Sequence, residues 1–115
     1  MIKNISIIGA GNLANAILSG ISRSNNSYNI TLIDIDKNKK NLAKKYNVNF
    51  SNNYSNNELE SDLVFLVVKP KEYKILLKKI NPFLSKNTIL LSFMAGVKHD
   101  EIESHIDKKI TIVRC

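Results

Sequence analysis

A glycine-rich turn close to the N-terminus constrains the fold of this chain more than any other feature. Residues 3–14 read Lys-Asn-Ile-Ser-Ile-Ile-Gly-Ala-Gly-Asn-Leu-Ala, so an apolar run leads directly into the pattern GxGxxA. Gly9 permits a tight turn from strand to helix, and Gly11 lets backbone amides approach a diphosphate. Ala14 lets the helix lie close to the strand. The pattern predicts the phosphate-binding turn of a dinucleotide site, at a helix N-terminus whose unpaired N–H groups favour an anion.

The segments that follow the turn support this prediction. Apolar residues recur there at helical spacing, at Leu13, Ala14, Ile17, Leu18 and Ile21. A second predicted strand, residues 30–33, ends at Asp34. An acidic residue about 20 positions beyond the turn can accept hydrogen bonds from a ribose diol. The alternative is that Asp34 only caps the helix that follows it.

The rest of the chain alternates strands with helices. Further strands are predicted over residues 48–50, 62–68, 88–92 and 110–113. Helices are predicted after Asp36, from Tyr73 to the Asn81-Pro82 pair, and over residues 100–106. We therefore expect an α/β fold, a Rossmann-type doubly wound parallel sheet of about six strands in the order 3-2-1-4-5-6. Ligand would bind over the carboxyl ends of the strands, where the order reverses between strands one and four.

Length and composition limit the class of protein. A chain of 115 residues fits one domain, residues 1–115, but is short for a dehydrogenase, which usually needs a second lobe for its substrate. The apolar run 63–68 is far shorter than the roughly 20 residues that a membrane span requires. A lone cysteine at position 115 argues against a disulfide framework and a metal cluster. We expect a cytoplasmic protein with no signal peptide and no membrane partner.

The net charge of +7 raises nucleic acid as a possible partner. The lysines, however, alternate with apolar residues on two predicted helices, which is typical of solvated outer helix faces. They are Lys37, Lys39, Lys40, Lys44 and Lys45 on one helix, and Lys71, Lys74, Lys78 and Lys79 on the other. We therefore expect no nucleic-acid partner.

Four separated segments together resemble the N-terminal domain of pyrroline-5-carboxylate reductase in both order and spacing. They are residues 7–14, 62–70, 91–97 and 112–115, and they include the pieces Val68-Lys69-Pro70 and Ala95-Gly96-Val97. The resemblance implies transfer of a hydride from NADH or NADPH to the cyclic imine pyrroline-5-carboxylate, which gives L-proline. Related domains, including F420-linked NADP oxidoreductases, share the glycine turn, so another imine or ketone reductase remains an alternative. A non-catalytic nucleotide-sensing module is another.

The resemblance also implies a set of cofactor-binding residues. Carried over by motif, these are Gly9, Gly11, Asn12, Leu13, Val68, Lys69, Pro70, Ala95 and Gly96. In the family an asparagine before the fourth strand approaches the cofactor, and Asn56 is the candidate for it here. Met94 stands where the family usually has a small residue, so its side chain either crowds the nicotinamide end of the cofactor site or fills the core. Asp34 favours NAD, because a carboxylate repels a 2′-phosphate, while the lysines at 37, 39 and 40 keep NADP possible. No catalytic residue and no metal ligand is assigned.

The family continues beyond the segment that matches Val113-Arg114-Cys115 into an all-helical domain. The resemblance implies that this domain carries most substrate contacts and the dimer interface, and that intact members are homo-oligomers. The 115 residues alone are therefore expected to bind the dinucleotide with little or no turnover, and to bind the imine substrate only together with the missing lobe.

Overall fold

One parallel sheet forms the centre of the molecule. The computed structural model describes residues 2–24, 27–54 and 61–115. Within them the sheet has six strands in the order β3-β2-β1-β4-β5-β6, with every neighbouring pair parallel. The strands are β1 (Asn4–Ile8), β2 (Asn29–Ile33), β3 (Asn49–Ser51), β4 (Leu63–Leu66), β5 (Ile89–Ser92) and β6 (Thr111–Arg114). The predicted Rossmann-type sheet and its strand order are confirmed.

Four helices lie in the described ranges, each in a connection between two strands. They are α1 (Asn12–Ser22), α2 (Lys40–Tyr46), α3 (Tyr73–Ile80) and α4 (His99–Glu103). Short 3₁₀ turns lie at Lys37–Lys39, Pro70–Glu72 and Asn81–Phe83. No helix in the described ranges combines the length and the apolar character needed to cross a bilayer.

The sheet separates two buried clusters, one on each face. Ile5 and Ile7 of β1 pack with Ala14 and Leu18 of α1 in one cluster. Ile8, the next residue of β1, belongs to the other cluster, together with α3 and α4. The predicted inward stripe of α3 is buried throughout, at Tyr73, Leu76, Leu77 and Ile80. A strand with apolar residues on both faces is therefore covered by helices on both faces, as expected for a doubly wound fold.

Two predicted elements end earlier than their apolar patterns suggested. The strand predicted over 62–68 ends at Leu66, although the amide of Val67 still donates to the carbonyl of Ile8 at 2.9 Å. Lys69 then takes an extended conformation, as a residue before proline must, and the 3₁₀ turn begins at Pro70. The helix predicted over 100–106 instead spans His99–Glu103. Its last turn tightens through amide-to-carbonyl bonds three residues apart, such as Ile106 to Glu103 at 3.2 Å.

Candidate functional site

The turn between β1 and α1 is fixed by both strands that flank β1. The Gly9 amide donates to the carbonyl of Ile33 in β2 at 2.8 Å. Gly9 has a φ of 106°, and a Cβ at this position would lie 2.5 Å from the carbonyl oxygen of Val67, just after β4. Because both the backbone conformation and the available space exclude a side chain, the fold itself requires glycine here.

Gly11 is different, because nothing in the described protein requires it to be glycine. It is the N-cap of α1 with a φ of −88°, and no side chain caps the helix there. A Cβ added at Gly11 would meet no atom within 4 Å. The exposed residues Asn12 and Leu13 form the start of α1 beside it. The positive end of an eleven-residue helix therefore faces open space, which is the arrangement that binds a phosphate group.

Asp34, at the end of β2, holds the glycine turn from the other side. Its half-buried carboxylate accepts hydrogen bonds from the amide of Ala10 at 3.0 Å and from the amide of Asp36 at 2.9 Å. The helix-capping role considered for Asp34 belongs to Asp36, whose carboxylate accepts from the amide of Asn38 at 2.9 Å. Each Asp34 oxygen keeps a further lone pair, so the carboxylate can still accept a bond from a ribose hydroxyl.

A cavity of about 270 Å³ opens beside Asp34 at the carboxyl ends of β1 and β2. Two aliphatic side chains on its rim, Ile35 and Ile75, are 71% and 66% exposed. Burial raises the pKa of the Tyr54 phenol on the cavity wall, and the carboxylates of Asp34 and Glu72 raise it further. The remaining lining residues are Ile8, Gly9, Ile33, Val68, Leu76 and Lys79. An apolar slot with a carboxylate at one end suits a planar base and its ribose.

The loops after β4 and β5 lie at the same edge of the sheet. Val68 packs half-buried against the core, whereas Lys69 and Pro70 are exposed. Ala95 and Gly96 are exposed in the loop after β5, and Gly96 has a φ of 80°. Parallel strands end on one side, so these two loops and the glycine turn border the same crevice.

Met94 fills the core beneath the β5 loop. Its side chain is 4% exposed and belongs to the cluster formed with α3 and α4. Two roles were considered for the large side chain of Met94, and the role of filling the core is therefore the correct one.

A side-chain contact that the sequence analysis missed joins α3 and α4, the helices that follow the β4 and β5 loops. The Tyr73 hydroxyl donates to Glu101 Oε2 at 2.9 Å, and the Lys98 amide donates to Glu101 Oε1 at 3.1 Å. These two bonds, the backbone one first, hold the pKa of the Glu101 carboxyl below its usual value. Glu101 stands three residues after the Lys98 N-cap, a spacing that indicates the bond from the Lys98 amide, whereas the bond from Tyr73 has no local signal in the sequence.

The structure thus brings ten of the eleven predicted cofactor-binding residues to one edge of the sheet; the eleventh, Asn56, lies outside the described residues. The cavity is also lined by residues that the sequence analysis did not single out, among them Ile35, Tyr54, Glu72 and Ile75. Glu72 and Ile75 could have been found only from their helical spacing around Tyr73, and Ile35 only from its position directly after Asp34. Both signals identify cavity residues only when the position of the cavity is already known. In the described part of the chain, no group of three His, Cys, Asp or Glu side chains could hold a metal ion.

A parallel sheet that reverses its strand order beside a glycine turn defines the Rossmann class of nucleotide-binding folds. The family model described as NADP oxidoreductase, coenzyme F420-dependent, matches residues 4–96. The chain belongs to this family.

Individual relatives show which enzymes this chain is similar to. Pyrroline-5-carboxylate reductase of Staphylococcus aureus is 32% identical over 110 residues, which cover 92% of this chain and 41% of that protein. A pyrroline-5-carboxylate reductase structure from Coxiella burnetii superposes with a TM-score of 0.88 at 28% identity, covering 99% of this chain and 43% of the other. Plasmodium falciparum pyrroline carboxylate reductase with NADP bound shares the fold, with a TM-score of 0.79 at 22% identity over 98% of this chain and 41% of that one. The chain therefore spans about two fifths of the length of these relatives.

Proposed function

We propose that residues 1–115 are the NAD(P)H-binding domain of a pyrroline-5-carboxylate reductase-like oxidoreductase. The observation that carries the proposal is the unexplained glycine at position 11. Its φ of −88° suits any residue, and among the described residues no atom beyond its chain neighbours lies within 4 Å of an added Cβ, so contacts in the described structure give no reason for glycine there. A diphosphate held against the first turn of α1 gives that reason, because its oxygens must come close to the backbone. The similarity to pyrroline-5-carboxylate reductases supports the choice of reaction.

Each group of residues has a proposed role in holding the coenzyme. Gly9 shapes the turn, while Gly11, Asn12 and Leu13 bind the diphosphate through the start of α1. Asp34 accepts from the adenosine ribose, and the cavity between Ile35 and Ile75 holds the base. The path towards the nicotinamide is lined by Val68, Lys69, Pro70, Ala95 and Gly96. Asn56 remains a proposed contact.

The chain's own contribution is positioning. When bound, NADH or NADPH would supply a hydride to the imine carbon of pyrroline-5-carboxylate, which together with one proton gives proline and the oxidised coenzyme. The loops after β4 and β5 would orient the nicotinamide and exclude water from one side of it. Substrate binding and homo-oligomer assembly depend, in this proposal, on a helical domain beyond the matched region. The 115 residues alone would bind coenzyme and turn over little substrate.

The proposed coenzyme is NAD rather than NADP. The half-buried Asp34 carboxylate repels a 2′-phosphate and can accept from a 2′-hydroxyl. NADP is the alternative, supported by the family's description and by the NADP-bound relative. The exposed Lys37 and Lys39 on the neighbouring 3₁₀ turn would then offset the charge of Asp34.

The test of coenzyme binding compares two glycines of α1. The purified chain is titrated with NADH and NADPH by fluorescence or calorimetry, and the titration is repeated with Gly11→Val and with Gly20→Val. Gly20 is the matched control, because an added Cβ meets no atom within 4 Å there either. We expect saturable binding that Gly11→Val abolishes and Gly20→Val preserves. Unchanged binding by Gly11→Val, or no binding by the folded wild type, would refute the proposal. Asp34→Ser should shift the preference towards NADPH.

The reaction is tested after a helical domain from a relative is supplied. The chain would be fused to the remainder of the Staphylococcus aureus reductase, and oxidation of NADH or NADPH would be followed with pyrroline-5-carboxylate. The second candidate, an F420-linked NADP oxidoreductase, is favoured by the family model and predicts instead transfer of hydride between NADP and F420. A fusion that binds coenzyme but transfers hydride to neither acceptor would indicate a nucleotide-sensing module.

A further inference from the structure

One wall of the cavity beside Asp34 comes from α3 and the 3₁₀ turn that leads into it. Glu72, Ile75, Leu76 and Lys79 line the cavity at relative positions i, i+3, i+4 and i+7, which places them on one helix face. Leu76 turns into the core, while the other three side chains are exposed. A carboxylate therefore enters the cavity from the α3 side, in addition to Asp34 at the end of β2.

The carboxylates of Asp34 and Glu72 both make the electrostatic potential in this cavity more negative. Tyr54, on the cavity wall, has a phenol whose pKa is raised first by burial and then by Asp34 and by Glu72. Lys79 is the only cationic group among the described lining residues, so two negative charges stand against one positive charge. The described residues provide no hydrogen-bond donor to the Glu72 carboxylate, whereas both Asp34 oxygens are engaged by backbone amides. Of these two carboxylates, Glu72 is therefore the one that no group in the described residues engages by a hydrogen bond.

We propose that Glu72 is a second determinant of coenzyme choice, which disfavours the 2′-phosphate of NADP at the cavity that would hold adenosine. This inference rests on the proposed function of the site. A phosphate monoester carries nearly two negative charges at neutral pH, so an additional carboxylate in a partly enclosed cavity discriminates against it more strongly than against a neutral 2′-hydroxyl. Asp34 and Glu72 line the same cavity, so their effects on the preference should combine.

The experiment measures dissociation constants of NADH and NADPH for the wild type, Glu72→Gln and Glu72→Lys. The NADPH-to-NADH ratio of dissociation constants should fall about fivefold for Glu72→Gln, which removes one negative charge, and further for Glu72→Lys, which also adds a positive charge. Glu103→Gln is the matched control. It makes the same chemical change at an exposed residue of α4 that does not line this cavity, and it should leave the ratio unchanged. In the wild type, added salt should lower the ratio, because exposed charges are screened.

The outcomes separate this inference from the proposed function. If both coenzymes bind and the Glu72 variants keep the wild-type ratio, the role of Glu72 is wrong and the coenzyme site stands. If Glu103→Gln moves the ratio as much as Glu72→Gln, the effect is one of net charge and the specific role is also wrong. If the folded wild type binds neither coenzyme, the proposed function fails and this inference fails with it. Circular dichroism of each variant confirms folding before titration.

Discussion

The turn after β1 and the turn after β5 both contain a glycine with positive φ, but for different reasons. Gly9 has a φ of 106° and Gly96 a φ of 80°. A Cβ at Gly9 would lie 2.5 Å from the Val67 carbonyl oxygen, whereas a Cβ at Gly96 would meet no atom within 4 Å. The β1 turn requires glycine for space and conformation, and the β5 turn requires it for conformation alone. Gly11 is required by neither space nor conformation in the described structure, which sets it apart from the two glycines on which the fold depends and is consistent with the role proposed for it in binding.

The two turns are also held differently. The β1 turn is bonded to its neighbours through the Gly9 amide to Ile33 and the Ala10 amide to Asp34. The loop after β5 is closed locally, by the Val97 amide to the Met94 carbonyl at 3.3 Å. It is also bonded to a neighbouring strand, through the Phe93 amide to the Leu66 carbonyl at 3.0 Å, and the helix that follows it contacts α3 through Glu101 and Tyr73. Both turns are therefore anchored to a neighbouring strand by a backbone amide, and the β1 turn is held in addition by the Asp34 carboxylate.

The largest loss of stability is expected for Gly9→Ala. The methyl group would collide with backbone rather than with a movable side chain, so we expect a loss of about 3 kcal/mol or more in the free energy of unfolding. Urea denaturation followed by circular dichroism measures it, with Gly20→Ala as the matched control. If Gly9→Ala lost less unfolding free energy than Gly96→Ala, the conclusion that space as well as conformation requires glycine at position 9 would be contradicted.

Gly96→Ala should cost less, about 1–2 kcal/mol, because only the left-handed backbone conformation opposes the methyl group. The same denaturation experiment gives the value. Gly96→Asn sharpens the test, since asparagine tolerates this conformation better than alanine and should recover part of the loss. Equal losses for alanine and asparagine would point to contacts rather than to conformation.

Removing the Tyr73 hydroxyl should have a smaller, pH-dependent effect. The folded-state pKa of Glu101 lies below its ordinary value of 4.5, so its contribution is fully present above about pH 4.5 and is lost as pH falls through the folded pKa. Tyr73→Phe removes one of the two bonds that lower this pKa. The variant should therefore lose stability at neutral pH and show a shallower decrease below pH 4.5 than the wild type. Parallel curves for the two proteins in urea titrations across pH 3–7 would argue against this role.

Gly11→Ala should change stability least, within about 0.5 kcal/mol, because nothing lies near the added methyl group. Its effect should appear instead in coenzyme affinity, which we expect to fall about tenfold or more as the methyl group blocks close approach of the diphosphate. Denaturation and titration of the same preparation measure both quantities. A variant with large destabilisation and unchanged affinity would reverse our assignment of the two glycines.

The sequence was sufficient to predict what depends on local pattern. Alternating apolar runs predicted the strand order, and GxGxxA with an acid after β2 placed Gly11 and Asp34 at one edge of the sheet. Helical spacing predicted the buried stripe of α3. These features follow from periodicity and from the handedness of parallel connections, which act over a few tens of residues.

What the sequence could not predict depends on contacts between distant segments. The bond from Ala10 to Asp34 joins residues 24 positions apart, and that from Tyr73 to Glu101 joins residues 28 apart. The cavity combines the end of β2 with a face of α3, so Glu72 had no local signal of its own. Strand ends were also missed, because the bend at Lys69-Pro70 stops β4 although the apolar run continues to Val68.

The two backbone hydrogen bonds accepted by Asp34 have a consequence for how coenzyme preference can evolve or be engineered. In the proposed site, one carboxylate both sets the charge beside the ribose and accepts a hydrogen bond from the Ala10 amide of the glycine turn. A substitution such as Asp34→Ala, which removes both oxygens, therefore also withdraws the acceptor from the turn, whereas Asp34→Asn removes the charge and keeps one acceptor oxygen. A switch of coenzyme at this position is thus a pleiotropic step unless the new residue keeps an oxygen that accepts from the Ala10 amide.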